Sequence, residues 1–150
     1  MIQRIQTIYL LLVTIILGSA LFTSFGYFSA DQGMTSILFK PAGLSTAEGT
    51  YATWGLFSLL AISALLAFAI IFLFKKRPLQ IRLSIFNSLL MIGYYGVLIF
   101  FVFQLRSKLD ASFYLRWTIC LPAVAFILNY LAIRAIGKDE VLVRAADRLR

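Results

Sequence analysis

The sequence predicts an all-α membrane protein: four transmembrane helices in an up-down bundle, with a small β-hairpin in the first outer loop and a short amphipathic C-terminal helix. Two observations predict this class. Four apolar runs, at about residues 5–25, 51–74, 83–104 and 115–136, are each long enough to cross a hydrocarbon layer of about 30 Å at 1.5 Å rise per residue. Charge is scarce and sits between them: 13% of residues are charged and 61% hydrophobic, against roughly 25% and 45–50% in soluble chains. A soluble chain of this length buries one core and has no place for four such runs. The whole chain, 1–150, therefore reads as a single membrane domain.

The first run follows Arg4 and extends through Phe22 and Phe25. Arg4, Ile8–Leu17 and Gly18-Ser19-Ala20 also fit a signal peptide with its cleavage site. The apolar stretch is longer than a signal peptide's usual core, so a retained helix is the better reading. In the outer loop 26–50, Phe25–Ser29 and Thr35–Phe39 are β-prone and flank Ala30-Asp31-Gln32-Gly33, a turn sequence. A hairpin is expected there, lying on the bilayer surface and resting on helix ends or on a partner, since two strands alone are marginal. Lys40-Pro41-Ala42-Gly43 ends the second strand.

The second run leads through the short Lys75–Arg82 loop into the third, and Leu105–Tyr114 joins the third to the fourth, so these helices are expected to be antiparallel neighbours. In the third, Gly93 and Gly96, with Gly55 and Ser58 in the second, are small residues that let helices approach closely. Pro122 is expected to kink the fourth, freeing a carbonyl near Thr118. Trp54, Trp117, Tyr51 and Tyr114 lie near outer helix ends and read as an aromatic belt. Cys120 reads as a small buried apolar residue. In the tail 137–150, after Gly137, Leu142, Ala145 and Leu149 recur at helical spacing and Glu140 precedes Arg144 by four positions, which supports a short helix at the inner headgroup layer.

Orientation follows from Lys and Arg. Arg4, Lys75, Lys76, Arg77 and Arg82 share one side with Arg134, Lys138, Arg144, Arg148 and Arg150. The other side has Lys40, Arg106, Lys108 and Arg116. The positive-inside bias places both termini and the 75–82 loop in the cytoplasm, in a multi-pass protein. The net charge of +8 is then a topology signal and an attraction to anionic lipid, and nucleic acid is not an expected partner because no soluble basic domain exists.

The residue inventory argues against chemistry. There is no histidine, one cysteine, and no carboxylate inside any run. Proton coupling, metal or haem ligation and base-assisted nucleophilic catalysis all lack their groups, so neither an enzyme nor a cofactor is expected. Thiol oxidoreductases of four helices need paired cysteines, and small multidrug exporters need a glutamate in the first helix. Both are missing. The remaining polar groups inside are uncharged. Asn87 and Asn129 fall in the inner half of adjacent helices, where an unpaired amide costs several kcal/mol, so each is expected to find an interhelical or partner hydrogen bond. Lys75, Lys76, Arg77, Arg134, Arg144, Arg148 and Arg150 are the candidate contacts for lipid headgroups or an acidic partner, with Arg134 snorkelling.

Met1–Leu10, Lys76–Asn87, Ile127–Ile136, Lys138-Asp139-Glu140 and Asp147–Arg150 together resemble domain of unknown function 4293, a family of Bacteroidetes membrane proteins. The resemblance spans essentially the whole chain. It implies a four-helix inner-membrane protein with no established activity and supplies no catalytic residues. It directs attention to the Asn129–Arg134 end and the charged tail.

The expected function is that of a small non-enzymatic membrane protein, an accessory or partner-binding subunit. Its partners are the lipid bilayer and another membrane protein or further copies of itself. The alternative is an oligomeric transporter or binding protein for an uncharged or lipidic ligand, with Asn87 or Asn129 at the wall of a laterally open cavity.

Overall fold

The computed structural model describes residues 2–30, 35–46, 49–74 and 76–148. It is mostly helical, with α1 (Ile2–Phe22), α2 (Trp54–Phe72), α3 (Arg77–Leu109) and α4 (Leu121–Arg148). Each is long and apolar enough to cross a membrane. Strands β1 (Gly26–Ala30), β2 (Thr35–Phe39), β3 (Leu44–Thr46) and β4 (Gly49–Tyr51) separate α1 from α2, and β5 (Ser112–Leu115) separates α3 from α4. Helices α1 and α3 each pack on both α2 and α4, which closes the four into a ring.

One face of each helix supplies the core. On α1 the fully buried Leu10, Val13, Leu17 and Ala20 recur at three- and four-residue steps. Met91, Tyr94 and Leu98 follow the same steps on α3, with Leu105 two turns further on, as do Leu56, Leu60, Ala64 and Ala67 on α2. The opposite faces carry exposed Ile15, Leu65, Phe68, Ile92, Phe100 and Ile127. A chain surrounded by water does not leave such a coat of large apolar residues bare.

The expected hairpin forms, with every residue of β1 paired antiparallel to β2 from Gly26 with Phe39 to Ala30 with Thr35. Its expected turn falls largely on residues 31–33, outside the described residues. The sheet has a third strand that was expected to be part of a plain loop. β5 pairs with the other edge of β1, giving the order β2-β1-β5. A second hairpin, β3 with β4, was also not expected. The Lys40–Gly43 turn ends β2 as predicted, closed by Gly43 N–H donating to the Lys40 carbonyl at 3.2 Å. Thr53 is buried just ahead of α2, and its hydroxyl lies 3.1 and 3.0 Å from the carbonyls of Lys40 and Pro41, fastening this turn to the helix start.

Alternation divides the sheet into two faces. Phe28, Phe39 and Phe113 point toward the helices and pack ring against ring, with centroids 4.8–6.0 Å apart. Gly26 makes this fit possible, since a Cβ there would stand 2.6 Å from both the Phe113 ring and the Tyr114 carbonyl oxygen. Phe25 joins the cluster and tilts against Tyr94 of α3 at 6.0 Å. The hairpin therefore rests on helix ends, as its marginal intrinsic stability required.

Several boundaries move, for identifiable reasons. α1 stops at Phe22 instead of Phe25 because Phe25 already belongs to the sheet: its N–H donates to the Phe39 carbonyl and its carbonyl accepts from Arg116 N–H, both at 3.0 Å. α3 is longer than the expected 83–104. It begins at Arg77 because Pro78 suits a first helical turn, and it ends at Asp110, whose φ of 43° is left-handed, a conformation aspartate tolerates. Its 33 residues span about 50 Å, well beyond a hydrocarbon layer of about 30 Å, and the overhang holds Leu105 in the core beneath the sheet.

In α4, Pro122 does not kink the helix. A 3-10 turn, Trp117–Cys120, precedes the helix, so Pro122 falls in the first turn, where its missing N–H has no bond to lose. The tail is not a separate helix either. α4 runs unbroken to Arg148, because one glycine at 137 costs only about 1 kcal/mol and the helix beyond it is tied down by Asp139. Gly55, Gly93 and Gly96 do not mediate close helix contacts: a Cβ at each would meet nothing within 4 Å, because the core face of α3 runs through 91, 94 and 98 instead. Cys120 is exposed rather than buried, since the 3-10 turn rotates it off the core face.

Candidate functional site

Three places concentrate polar or exposed aromatic groups: a seam inside the bundle, a cavity at one end and the outward face of the sheet. The seam is built on α3. Ser84, Asn87 and Ser88 stand at i, i+3 and i+4, which puts them on one helix face, turned inward. Ser63 of α2 donates its hydroxyl to Asn87 Oδ1 at 2.6 Å. From α4, Asn129 Nδ2 donates at 2.8 Å both to the Ser84 carbonyl and to Ser88 Oγ. Ser88 Oγ itself donates back to the Ser84 carbonyl at 3.1 Å. Asn87 and Asn129 are both fully buried, and each has an interhelical partner, though not each other. Such bonds each contribute about 0.6–2 kcal/mol between helices. Ser84 Oγ, Asn87 Nδ2, Asn129 Oδ1 and, two turns along, the Tyr94 hydroxyl have no hydrogen-bond partner among the described residues. Because α3 starts at Arg77, Asn87 lies almost three turns into the helix.

The second place is where α1 starts, α2 ends, α3 starts and α4 leaves the bundle, here called the tail end. Gln6 of α1 donates its amide Nε2 to the Ala135 carbonyl of α4 at 3.1 Å. Gln80 of α3 donates to the Ile70 carbonyl of α2 at 3.2 Å, as a second donor beside the Leu73 N–H that closes the last turn of that helix. Arg77 Nη2 lies 3.2 Å from Asp139 Oδ2. That contact is ionic without being a directed hydrogen bond, since Asp139 Oδ2 has no aligned donor among the described residues. Beside these groups is a cavity of about 550 Å³. Gln6, Gln80 and Arg77 line it together with Ile8, Ile71 and Phe72. The glutamines are 5% and 4% exposed, whereas Ile8 and Phe72 are 55% and 63% exposed, so the floor is polar and the rim apolar.

At the opposite, sheet end three side chains bond across the segments that leave α1 and enter α4, and a recess of about 450 Å³ is lined by Arg106, Ser107, Asp110 and Ser112. Thr118 Oγ1 donates to the Ser24 carbonyl at 2.5 Å, Arg116 Nη1 to Ser24 Oγ at 3.1 Å, and the Tyr95 hydroxyl to the Ile119 carbonyl at 2.7 Å. On the outward face of the sheet, Leu38, Tyr27 and Tyr114 are cross-strand partners and form one exposed row. The two tyrosine rings stack at 5.2 Å with an interplanar angle of 14°. Trp54 and Trp117 are exposed at the starts of α2 and of the 3-10 turn.

The basic candidates are distributed unevenly. Arg77 enters the tail-end ion pair, Lys76 is exposed beside it, and Arg134 is exposed on α4 at a smaller recess shared with Ile5 and Tyr9. Lys75 and Arg150 lie outside the described residues, and for Arg144 and Arg148 only the helical backbone is described. Sequence reasoning missed Ser63, Gln6, Gln80 and Asp139. The Ser84-Asn87-Ser88 spacing was a usable signal for the seam. The glutamines were not recognisable singly, because each gains its meaning from a carbonyl on another helix.

Among proteins at large, the profile of the family described as Domain of unknown function (DUF4293) matches residues 2–149. No match is found among curated proteins.

Proposed function

The chain belongs to the DUF4293 family, and from its geometry we propose a non-enzymatic, four-span inner-membrane protein that serves as an accessory subunit of another membrane protein. The four helices run up and down through the bilayer, with the tail end and both termini cytoplasmic. Lys76, Arg77, Arg82, Arg134 and Lys138 cluster at that end, in keeping with the positive-inside bias. The absence of histidine and the single exposed cysteine favour a binding role over a catalytic one.

The observation that carries the subunit reading is the Leu38–Tyr27–Tyr114 row. Its strands are anchored by the buried phenylalanines beneath, so the row is a rigid, preformed aromatic surface, the kind of anchor that dominates protein interfaces. Trp54 and Trp117 at the helix ends occupy the belt position. At this end of the bundle an exposed apolar row is left bare unless a partner covers it. The partner's matching feature is an extracytoplasmic segment with its own apolar anchors.

A photo-crosslinking residue at Leu38 in native membranes tests this. Adducts to a distinct membrane protein, lost on Tyr27→Ser with Tyr114→Ser, are expected. Adducts only to lipid, or only to a second copy of this chain, overturn it. Orientation is tested separately by labelling single cysteines at Ser112 and Lys138, in a Cys120→Ser background, from opposite sides.

A further inference from the structure

We propose that the tail-end cavity is a binding site for an amphiphile bearing an anionic phosphate, a phospholipid that enters from the bilayer with its headgroup toward Arg77. This goes beyond the subunit reading but rests on the membrane placement above.

The shape of the cavity selects an amphiphile. Its floor holds the buried Gln6 and Gln80 beside the partly exposed Arg77, and its open rim Ile8 and Phe72. A wholly apolar ligand would strip water from the polar floor without replacing its hydrogen bonds. A wholly polar one would leave the rim uncovered and find no reason to enter from hydrocarbon. A molecule with a polar head and an apolar tail satisfies both, head inward and chain trailing over the rim into the lipid. At about 550 Å³ the cavity is within the usual size of a ligand site.

Charge selects the phosphate. The guanidinium of Arg77 carries five N–H donors in a planar fork suited to phosphate oxygens. One of its nitrogens faces Asp139 Oδ2 at 3.2 Å, and among the described residues it makes no second ion pair. Gln6 and Gln80 each direct Nε2 to a backbone carbonyl, which leaves the amide oxygens as acceptors for headgroup hydroxyl or ammonium groups. The first turn of α3 lines the cavity and its N-terminal dipole favours an anion there, while the C-terminus of α2 on the facing side opposes it, so the charge of Arg77 has to carry the selection. Asp139 opposes it as the nearest carboxylate, so it should limit the affinity rather than create it.

The test uses the full chain with Phe72→Trp at the rim, in a background of Trp54→Phe and Trp117→Phe, reconstituted into phosphatidylcholine vesicles. Quenching of this tryptophan by brominated phosphatidylglycerol is compared with quenching by brominated phosphatidylcholine at equal fractions. The expected preference for the anionic lipid is about fivefold, the size of effect of one basic residue at an anionic surface. Asp139→Asn should increase it. Arg77→Gln combined with Asp139→Asn, which leaves no stranded charge, should reduce it to about one while the protein stays folded by circular dichroism.

Equal quenching by both lipids in the parent protein overturns the proposal, and so does a preference that survives loss of Arg77. Short-chain phosphatidylglycerol should compete, and inorganic phosphate at the same concentration should not. Equal competition by inorganic phosphate would identify a soluble anion as the occupant and overturn the lipid assignment. Absence of quenching by any brominated lipid would instead refute the membrane placement, a failure distinct from that of the site.

Discussion

The two ends of the bundle solve the same problem with different materials. At the sheet end, the backbone groups leaving α1 and α3 are taken up by strands: Phe25 bonds to Phe39 on one side and to Arg116 on the other. Aromatic rings then fill the space between strands and helices. At the tail end, single side chains do the joining, through the Gln6 and Gln80 amides and the Arg77–Asp139 ion pair. A sheet covers what it caps, because its pleat places a continuous row of side chains against the helices. Isolated side-chain bridges hold helices together at points and leave gaps between them. The cavity beside Gln6 and Gln80 lies where the bridges are, whereas at the other end a recess of about 450 Å³ lies beside the end of α3, lined by Arg106, Asp110 and Ser112.

The contrast can be broken most strongly at the aromatic cluster. Phe28→Ala removes a fully buried ring and is expected to cost about 3–5 kcal/mol, read as a lower midpoint of unfolding in detergent with early protease cleavage of the 24–53 segment. A smaller loss is expected from Gly26→Ala, which forces a methyl group against the Phe113 ring and the Tyr114 carbonyl, for about 1–3 kcal/mol by the same measurement. If both substitutions leave the midpoint unchanged, the sheet is not a structural cap and the distinction between the ends fails.

At the tail end the expected effects are smaller and depend on pairing. Arg77→Gln leaves the largely buried carboxylate of Asp139 without its cation and should lower stability by about 1–2 kcal/mol, a value reduced for the remaining exposure of the pair. Adding Asp139→Asn should recover most of the loss, and a double variant as unstable as the single one would show that the pair does not act as a unit. Asn129→Leu removes two interhelical hydrogen bonds but adds apolar contact, for a net loss of about 1 kcal/mol. Its measure is the shift in detergent unfolding midpoint, with Asn87→Leu as the matched comparison across the Ser63 contact.

The legible part of the fold is the part with short-range signals. Apolar runs marked all four helices, and β-prone residues on either side of a turn marked β1 and β2. The strand Ser112–Leu115 has β-prone residues too, but its partner β1 lies more than eighty positions earlier, and a four-residue strand is recognisable only beside the strand it pairs with. Gly93 and Pro122 misled for a related reason. Each has a well-known local effect, yet Gly93 faces away from every other helix and Pro122 stands where a helix begins. The seam was half legible: the need of Asn87 and Asn129 for partners followed from burial in an apolar run, and Ser63, Ser84 and Ser88 were the partners that geometry supplied.

Hydropathy was enough to mark how many helices there are and roughly where each lies, because these depend on composition summed along the chain. The third strand, the unbroken tail helix, the Arg77–Asp139 pair and the hollow beside Gln6 and Gln80 were decided only when the helices packed. Each is a relation between residues distant in the chain, and whether a polar group there is satisfied, charged against a neighbour or left facing a cavity depends on which other helix face happens to stand opposite it.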